Sequence, residues 1–254
     1  MDRKTIYYKD ELNDEFSTAK IVPRIIDGKY KYKRNLIWNV FSYIIQNFLS
    51  MPIKIVYSKI KFRHKFVGKE NLKPYKKRGY FIYVNHTQIF ADTFIPSLAN
   101  YPKRNFYIVN PENISMKPFG WLVEMLGAIP VPGDKYAMKN FLNIVQKRIE
   151  KNNSITIYPE AHIWPYYTKI RPFKSVSFTY PVQMDTPVFC ITNTYQKRNN
   201  NKVKIVSYID GPFFADNELS YKERKEDLRN RVYNKMVERS KNSNIEVIKY
   251  IKKD

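Results

Sequence analysis

Residues 80–92 read YFIYVNHTQIFAD. Five consecutive apolar residues, Tyr80 to Val84, give way at once to polar ones, which is the length and composition of a strand buried on both faces. Similar short runs follow: NFYIV (105–109), AIPV (128–131), SITIY (154–158), TPVFCIT (186–192) and VKIVSYI (203–209). Helical stretches fall between several of them, near 117–126, 135–151 and 173–183. This alternation predicts an α/β domain with a mixed, largely parallel sheet flanked by helices. A last helix is expected from Ser220, where Ser220 and Glu223 form a capping box, to about Ser240, with Leu228, Val232 and Met236 on one face. The first run ends in Asn85 and His86, and Asp92 follows. A histidine at the C-terminal end of a strand stands at the usual mouth of an α/β site, where a nearby carboxylate fixes its tautomer and stabilises its cation. At ~100° per residue a helix would set the two side chains ~120° apart, so pairing them requires a turn that folds Asp92 back.

Upstream, residues 35–53 contain no charged side chain, and twelve of the nineteen are apolar. Asn35, Asn39, Ser42, Gln46 and Ser50 trace one polar stripe, so an amphipathic helix is expected. Six polar residues and Pro52 fall short of the ~20 predominantly apolar residues of a spanning helix, which leaves a helix lying in a membrane interface or one packed on the protein's own core. Residues 54–78 then carry ten Lys or Arg against one acid, Glu70. Lys59, Lys61, Arg63 and Lys65 alternate with Ile60, Phe62, His64 and Phe66, the period of a strand with one basic face. Such a strand suits an anionic lipid surface, or serves as an edge protected by its lysines. The chain divides on this reading into an N-terminal segment with the interfacial helix (1–57) and an α/β domain (58–254).

The 254 residues, 43% of them hydrophobic, are enough for one large globular domain. A net charge of +22 points to an anionic partner: phospholipid, nucleic acid, or a phosphorylated or CoA-like substrate. One cysteine, Cys190, and three histidines exclude an internal disulfide framework and argue against a Cys/His zinc module. The start, MDRKTIYYKDELNDEF, has acids where a secretory signal would be apolar, so a cytoplasmic location is expected.

Four blocks in order, NHTQIFAD, SMKPFGWLVEMLGAIPV, SITIYPEAHIWPYYTKIRPFK and DTPVFCIT, resemble the lysophospholipid and 1-acylglycerol-3-phosphate acyltransferase family over roughly residues 60–210. VGKENL (67–72) fits its opening strand and turn. The resemblance implies that His86 is the general base for the acceptor hydroxyl, with Asp92 its orienting partner in a His-x5-Asp version of a His-x4-Asp motif. Glu160 matches the glutamate of the third block, Phe173 and Lys174 its downstream Phe-Lys, Gly127 the glycine of the second block and Pro187 the proline of the fourth. The reaction implied is transfer of a fatty acyl group from acyl-CoA or acyl carrier protein to a lysophospholipid hydroxyl, without metal or cofactor, at the cytoplasmic face of an anionic membrane. Backbone N–H groups from Thr87 to Phe90 are candidate oxyanion donors.

The sequence departs from the family pattern in three places. The His-to-Asp spacing is one residue longer, with Ala91 where the Asp would fall. Pro132 and Gly133 replace the second block's arginine, and Ala161, His162 and Ile163 replace Gly-Thr-Arg. Both arginines associated with the acceptor's phosphate are thus missing, and Arg171, Lys169, Lys174 or His162 are the candidate substitutes, with Glu160 and Thr87 completing the candidate substrate contacts. His162 either meets the acceptor or caps a turn. Trp164, Tyr166 and Tyr167 either line a pocket or fold back onto the core. His64 and Cys190 read as packing residues. Two rivals stand beside the enzyme: a lipid-binding protein of the same fold that has lost activity, and a nucleic-acid-binding protein. Against the second, there is no helix-turn-helix, zinc-ligand or aromatic RNA-binding signature, and no nucleic acid partner is expected.

Overall fold

The computed structural model describes residues 4–16, 21–198 and 202–253; the parts of the 1–57 segment at 1–3 and 17–20 lie outside them. In chain order the elements are β1 (Thr5–Tyr8), α1 (Leu36–Ile44), a π-helical turn (Ile45–Leu49), α2 (Ser50–Phe62), β2 (Lys65–Val67), a 3₁₀ segment (Lys69–Tyr75), β3 (Tyr80–Val84) and α3 (Phe94–Asn100). Then come β4 (Asn105–Val109), α4 (Pro111–Ser115), α5 (Gly120–Met125), β5 (Ala128–Pro130), α6 (Lys135–Glu150) and β6 (Ser154–Ile157). A 3₁₀ turn (Val176–Phe178), α7 (Thr179–Gln183), β7 (Val188–Lys197), β8 (Val203–Phe213), α8 (Tyr221–Ser240) and β9 (Lys249–Lys252) complete it.

Seven strands form one sheet in the order β2-β8-β7-β3-β6-β4-β5, parallel throughout except for the antiparallel pair β7–β8. β3 lies at its centre, and its five side chains are all buried because successive residues enter opposite cores. Phe81 and Tyr83 join Phe141 and Val145 of α6 and Leu228, Val232 and Met236 of α8. Tyr80, Ile82 and Val84 pack instead with Phe62 of α2 and Ile95 and Ala99 of α3. The capping box at Ser220 and Glu223 starts α8 as expected. β1 and β9 form a separate parallel pair.

The basic strand expected at 59–66 is not present, and α2 runs through Phe62, across the 57/58 boundary. Ser58 and Phe62, one helical turn apart, are buried while Ile60 between them is 75% exposed, so tertiary packing selects the helical period over the alternating one. Lys59 and Lys61 lie in the last turn, where cations favour a helix end. Arg63, at φ 41°, closes it by donating its N–H to the Lys59 carbonyl, with His64 N–H reaching Ser58.

The polar stripe of 35–53 is present, and it faces inward. Asn35 caps α1 through the Trp38 N–H. The buried Ser42 and Gln46 accept hydrogen bonds from Arg104 (Nη2 to Ser42 Oγ, 2.7 Å; Nε to Gln46 Oε1, 3.1 Å) and donate to the Met125 carbonyl. Burial, with Arg148 nearby, pulls Arg104 down to about 10. The π turn brings both Gln46 and Asn47 to the inner side. Leu36, Ile37, Val40, Phe41, Phe48, Leu49, Ile53, Val56 and Ile60 consequently face outward. Among the described residues, no helix is long and apolar enough to cross a membrane.

His64 is held just beyond α2. Ser207 gives its hydroxyl proton to Asn193 Oδ1 (2.6 Å), so the contact at 2.8 Å is His64 Nε2–H donating to Ser207 Oγ. Phe66 packs edge-on against the ring at 4.3 Å. Burial and then Lys69 push its pKa from 6.5 down to about 4. The unfolded chain therefore binds a proton that the folded one rejects. Stability is full above pH 6.5 and falls by up to roughly 3 kcal/mol as pH drops toward 4. Thermal melting across this range should show that loss, and His64→Gln should flatten it; an unchanged pH profile in the variant would refute the assignment.

Candidate active site

The C-terminal end of β3 delivers Asn85 and His86. Asn85 locks onto β7, its Nδ2 donating to the Asn193 carbonyl (3.1 Å) and its Oδ1 accepting from the Asn193 N–H (2.8 Å). His86 is held on both sides of its main chain: its N–H donates to Glu160 Oε2 (2.9 Å), and its carbonyl accepts from the Trp164 N–H (3.1 Å). The imidazole is thereby placed before its side-chain partners act.

The turn after His86 closes as the pairing required. His86 Nδ1 bonds to Asp92 Oδ2, which places the proton on Nδ1 and leaves Nε2 as the basic atom. Asp92 is buried, and burial raises its carboxyl pKa despite the opposing contact with His86. Its other oxygen, Oδ1, makes no full hydrogen bond; the backbone N–H groups of Gln88 and Thr87 are turned toward the carboxylate. The extra residue of the longer spacing is absorbed at the tip, where Ile89 and Phe90 point outward.

Three aromatic residues complete the surroundings. Tyr158 stacks on His86, ring centroids 4.3 Å apart and planes 25° apart. Its hydroxyl is buried without a partner, and burial pushes its pKa well up. Tyr195, buried under the loop, donates to Thr87 Oγ1 (2.7 Å) and accepts from Gln88 Nε2 (2.6 Å). Tyr166, half-buried, packs on Tyr195 at 5.3 Å and feels the charge of Lys61. No sequence pattern marked Tyr158 or Tyr195; the position of Tyr158 directly before Pro159-Glu160 was the available signal.

The third block takes a different part from the one expected. Glu160 and Arg171 are sealed in the interior, their side chains inaccessible to solvent. Glu160 Oε1 accepts from the Arg171 N–H (2.9 Å), and the Arg171 guanidinium approaches Oε2 at 3.7 Å. That guanidinium also donates to the Glu11 carbonyl (3.1 Å) and the His162 carbonyl, and lies over the Trp164 ring at 4.9 Å. These two side chains, expected as substrate contacts, brace the loop and the His86 main chain from the interior, and Arg171 Nε has no hydrogen-bond partner there. Thr87 is buried too, its Oγ1 accepting from the Tyr195 hydroxyl. Lys169 and Lys174 are exposed. His162, partly exposed, lies 3.5 Å from Glu15 through Nδ1.

Trp164 and Tyr167 fold back. Trp164 is stacked on Tyr250 of β9 (5.2 Å, 8°), meets Tyr8 and Phe16 edge-on, and donates its indole N–H to the Asp14 carbonyl. Ala161 keeps a left-handed φ of 64° at the place of the family's glycine, a conformation that costs an L side chain roughly 1–2 kcal/mol. Gly127 uses its freedom outright: at φ 104° an added Cβ would come within 2.8 Å of the Asn105 carbonyl. Cys190 is buried in β7. Among the described residues no group of three His, Cys, Asp or Glu side chains could hold a metal ion.

A base oriented by a buried carboxylate, with its second nitrogen open, can take a proton from a hydroxyl as it attacks a carbonyl carbon. A family model described as Acyltransferase matches residues 63–194, more than half of the chain. No curated protein matches it in sequence. Among solved structures, the crystal structure of the 1-acyl-sn-glycerophosphate (LPA) acyltransferase PlsC from Thermotoga maritima aligns with a TM-score of 0.51 at 16% identity, covering 84% of this chain and 98% of that one. At that identity the likeness is one of fold.

Proposed function

The chain belongs to this acyltransferase family, and from that premise we propose that it moves a fatty acyl group from acyl-CoA or acyl carrier protein to the hydroxyl of a lysophospholipid, 1-acylglycerol-3-phosphate being the first candidate. The observation that carries this reading is the His86–Asp92 pair, with Nε2 of His86 left open at the C-terminal end of the central strand. Nε2 takes the proton of the acceptor hydroxyl while its oxygen attacks the thioester carbonyl. Asp92 stabilises the imidazolium, and collapse of the tetrahedral intermediate forms the ester and expels the thiolate, which recovers the proton from Nε2. Tyr158, flat against the ring, keeps the imidazole from rotating out of line.

The outward apolar face of α1 and α2 supports a seat in the interface of an anionic bilayer, at the cytoplasmic side, with the helix lying flat. Lys59, Lys61, Arg63 and Lys65 end that face with cations worth ~1 kcal/mol each near anionic headgroups. With Arg171 withdrawn into the interior, His162, Lys169 and Lys174 are the third-block side chains left to meet the acceptor's phosphate. The same basic surface suits the acidic acyl donors.

The test is thiol release from acyl-CoA, and in parallel from acyl carrier protein, by detergent-purified protein with a panel of lysolipids. Turnover confined to one acceptor class, highest with 1-acylglycerol-3-phosphate, is the expected result. No turnover with any pair, from folded protein that binds vesicles, would replace the enzyme with a lipid-binding protein of the same fold.

A further inference from the structure

Resting on the bilayer seat just proposed, we infer that the catalytic turn itself enters the lipid: Ile89 and Phe90, between His86 and Asp92, form a wedge that opens the base directly to the acyl region of the bilayer. The argument begins with exposure. Ile89 is 67% and Phe90 70% exposed, although the residues on either side of them, Gln88 and Ala91, are buried. A tight turn is ordinarily built from Gly, Asn, Asp or Ser. Here two large apolar side chains occupy its tip and forgo most of the burial they would gain in the interior.

The wedge is not isolated. Phe90 packs edge-on against Tyr57 of α2 (5.6 Å) and Phe94 of α3 (5.6 Å), and Tyr57 meets Phe94 at 5.7 Å. Tyr57 sits on α2 among Ile53, Val56 and Ile60, all outward-facing. The apolar surface of the helix therefore continues without a break onto the turn that holds the base. Lys61 marks the rim: its ammonium donates to the Tyr57 hydroxyl (2.8 Å) and lies 5.0 Å from the Tyr57 ring centroid, with its stem along apolar surface and its charge at headgroup height. An interfacial helix sinks its apolar face ~5–10 Å. A turn continuous with that face reaches the same depth, so an acyl chain meets His86 without crossing water.

The test reads insertion, not activity. Phe90→Cys, Ile60→Cys and, as a reference on the exposed start of α8, Lys222→Cys are each labelled with a thiol-reactive, environment-sensitive fluorophore. Cys190 stays silent, because it is fully buried and burial pushes its thiol pKa up. The probes are mixed with phosphatidylglycerol–phosphatidylcholine vesicles, with and without lipids carrying a quencher in the acyl chain. A blue shift and several-fold quenching at both positions 60 and 90, absent at 222, is expected. Quenching at 60 without quenching at 90 would overturn the wedge and leave the bilayer seat standing. Quenching at neither would overturn both.

Discussion

His86→Ala should lower acyl transfer by about 10²–10⁴-fold, the range that a positioned general base contributes, while vesicle binding and thermal melting stay at the wild-type level. Asp92→Asn should show a loss of similar order by a different route. The carboxylate accepts the Nδ1 proton and so dictates that Nε2 is the basic atom; an amide can present either oxygen or N–H and no longer enforces the tautomer. Because burial already raises the Asp92 carboxyl, the neutral isostere should not destabilise the fold. The pair of variants thus separates chemistry from structure. Wild-type turnover in His86→Ala would sink the base assignment, and a marked drop in melting temperature in Asp92→Asn would show that the His86–Asp92 hydrogen bond holds the loop together.

Glu160→Ala should do the reverse and cost stability first. Removing the carboxylate strands the Arg171 guanidinium in the interior and leaves the main-chain N–H groups of His86 and Arg171 without acceptors. Breaking one half of a buried pair costs about 3–5 kcal/mol, a melting-temperature drop on the order of 10 °C for a chain of this size. Activity should fall with it, since the His86 main chain loses the contact that places it. Glu160→Ala combined with Arg171→Met should recover part of the melting temperature, because the second change removes the stranded charge. A single variant that melts like wild type yet loses turnover would return Glu160 to the substrate.

The central part of the fold was legible because it is written locally. Strands buried on both faces read as unbroken apolar runs, and the expected limits at 80–84 and 105–109 coincide with β3 and β4. The capping box at Ser220 fixed the start of α8 for the same reason. Residues 59–66 misled because KIKFRHKF satisfies a two-residue period by composition, while burial of Ser58 and Phe62 against the sheet decides the matter. Helix α3 escaped notice because FIPSLAN is short, carries an internal proline and has no amphipathic period.

Within the site, His86 and Asp92 were readable from a strand end and a nearby carboxylate. The fate of Arg171 was not, since it depends on Glu11, 160 positions away in the chain. The orientation of the 35–53 helix was equally hidden. A polar stripe ordinarily faces water, and the half-buried Arg104 with the Met125 carbonyl explains why this one turns inward.

The pairing of β1 with β9 also sets an order in time. Trp164 is covered on one side by Tyr8 and Phe16 and on another by Tyr250, and β9 is the last of the elements to be translated. As the chain is made from its N-terminus onward, the sheet, His86 and Asp92 can all be in place while the loop bracing His86 still has one flank open. The loop bracing His86 is therefore clamped on both flanks only once β9 has been made and has paired with β1.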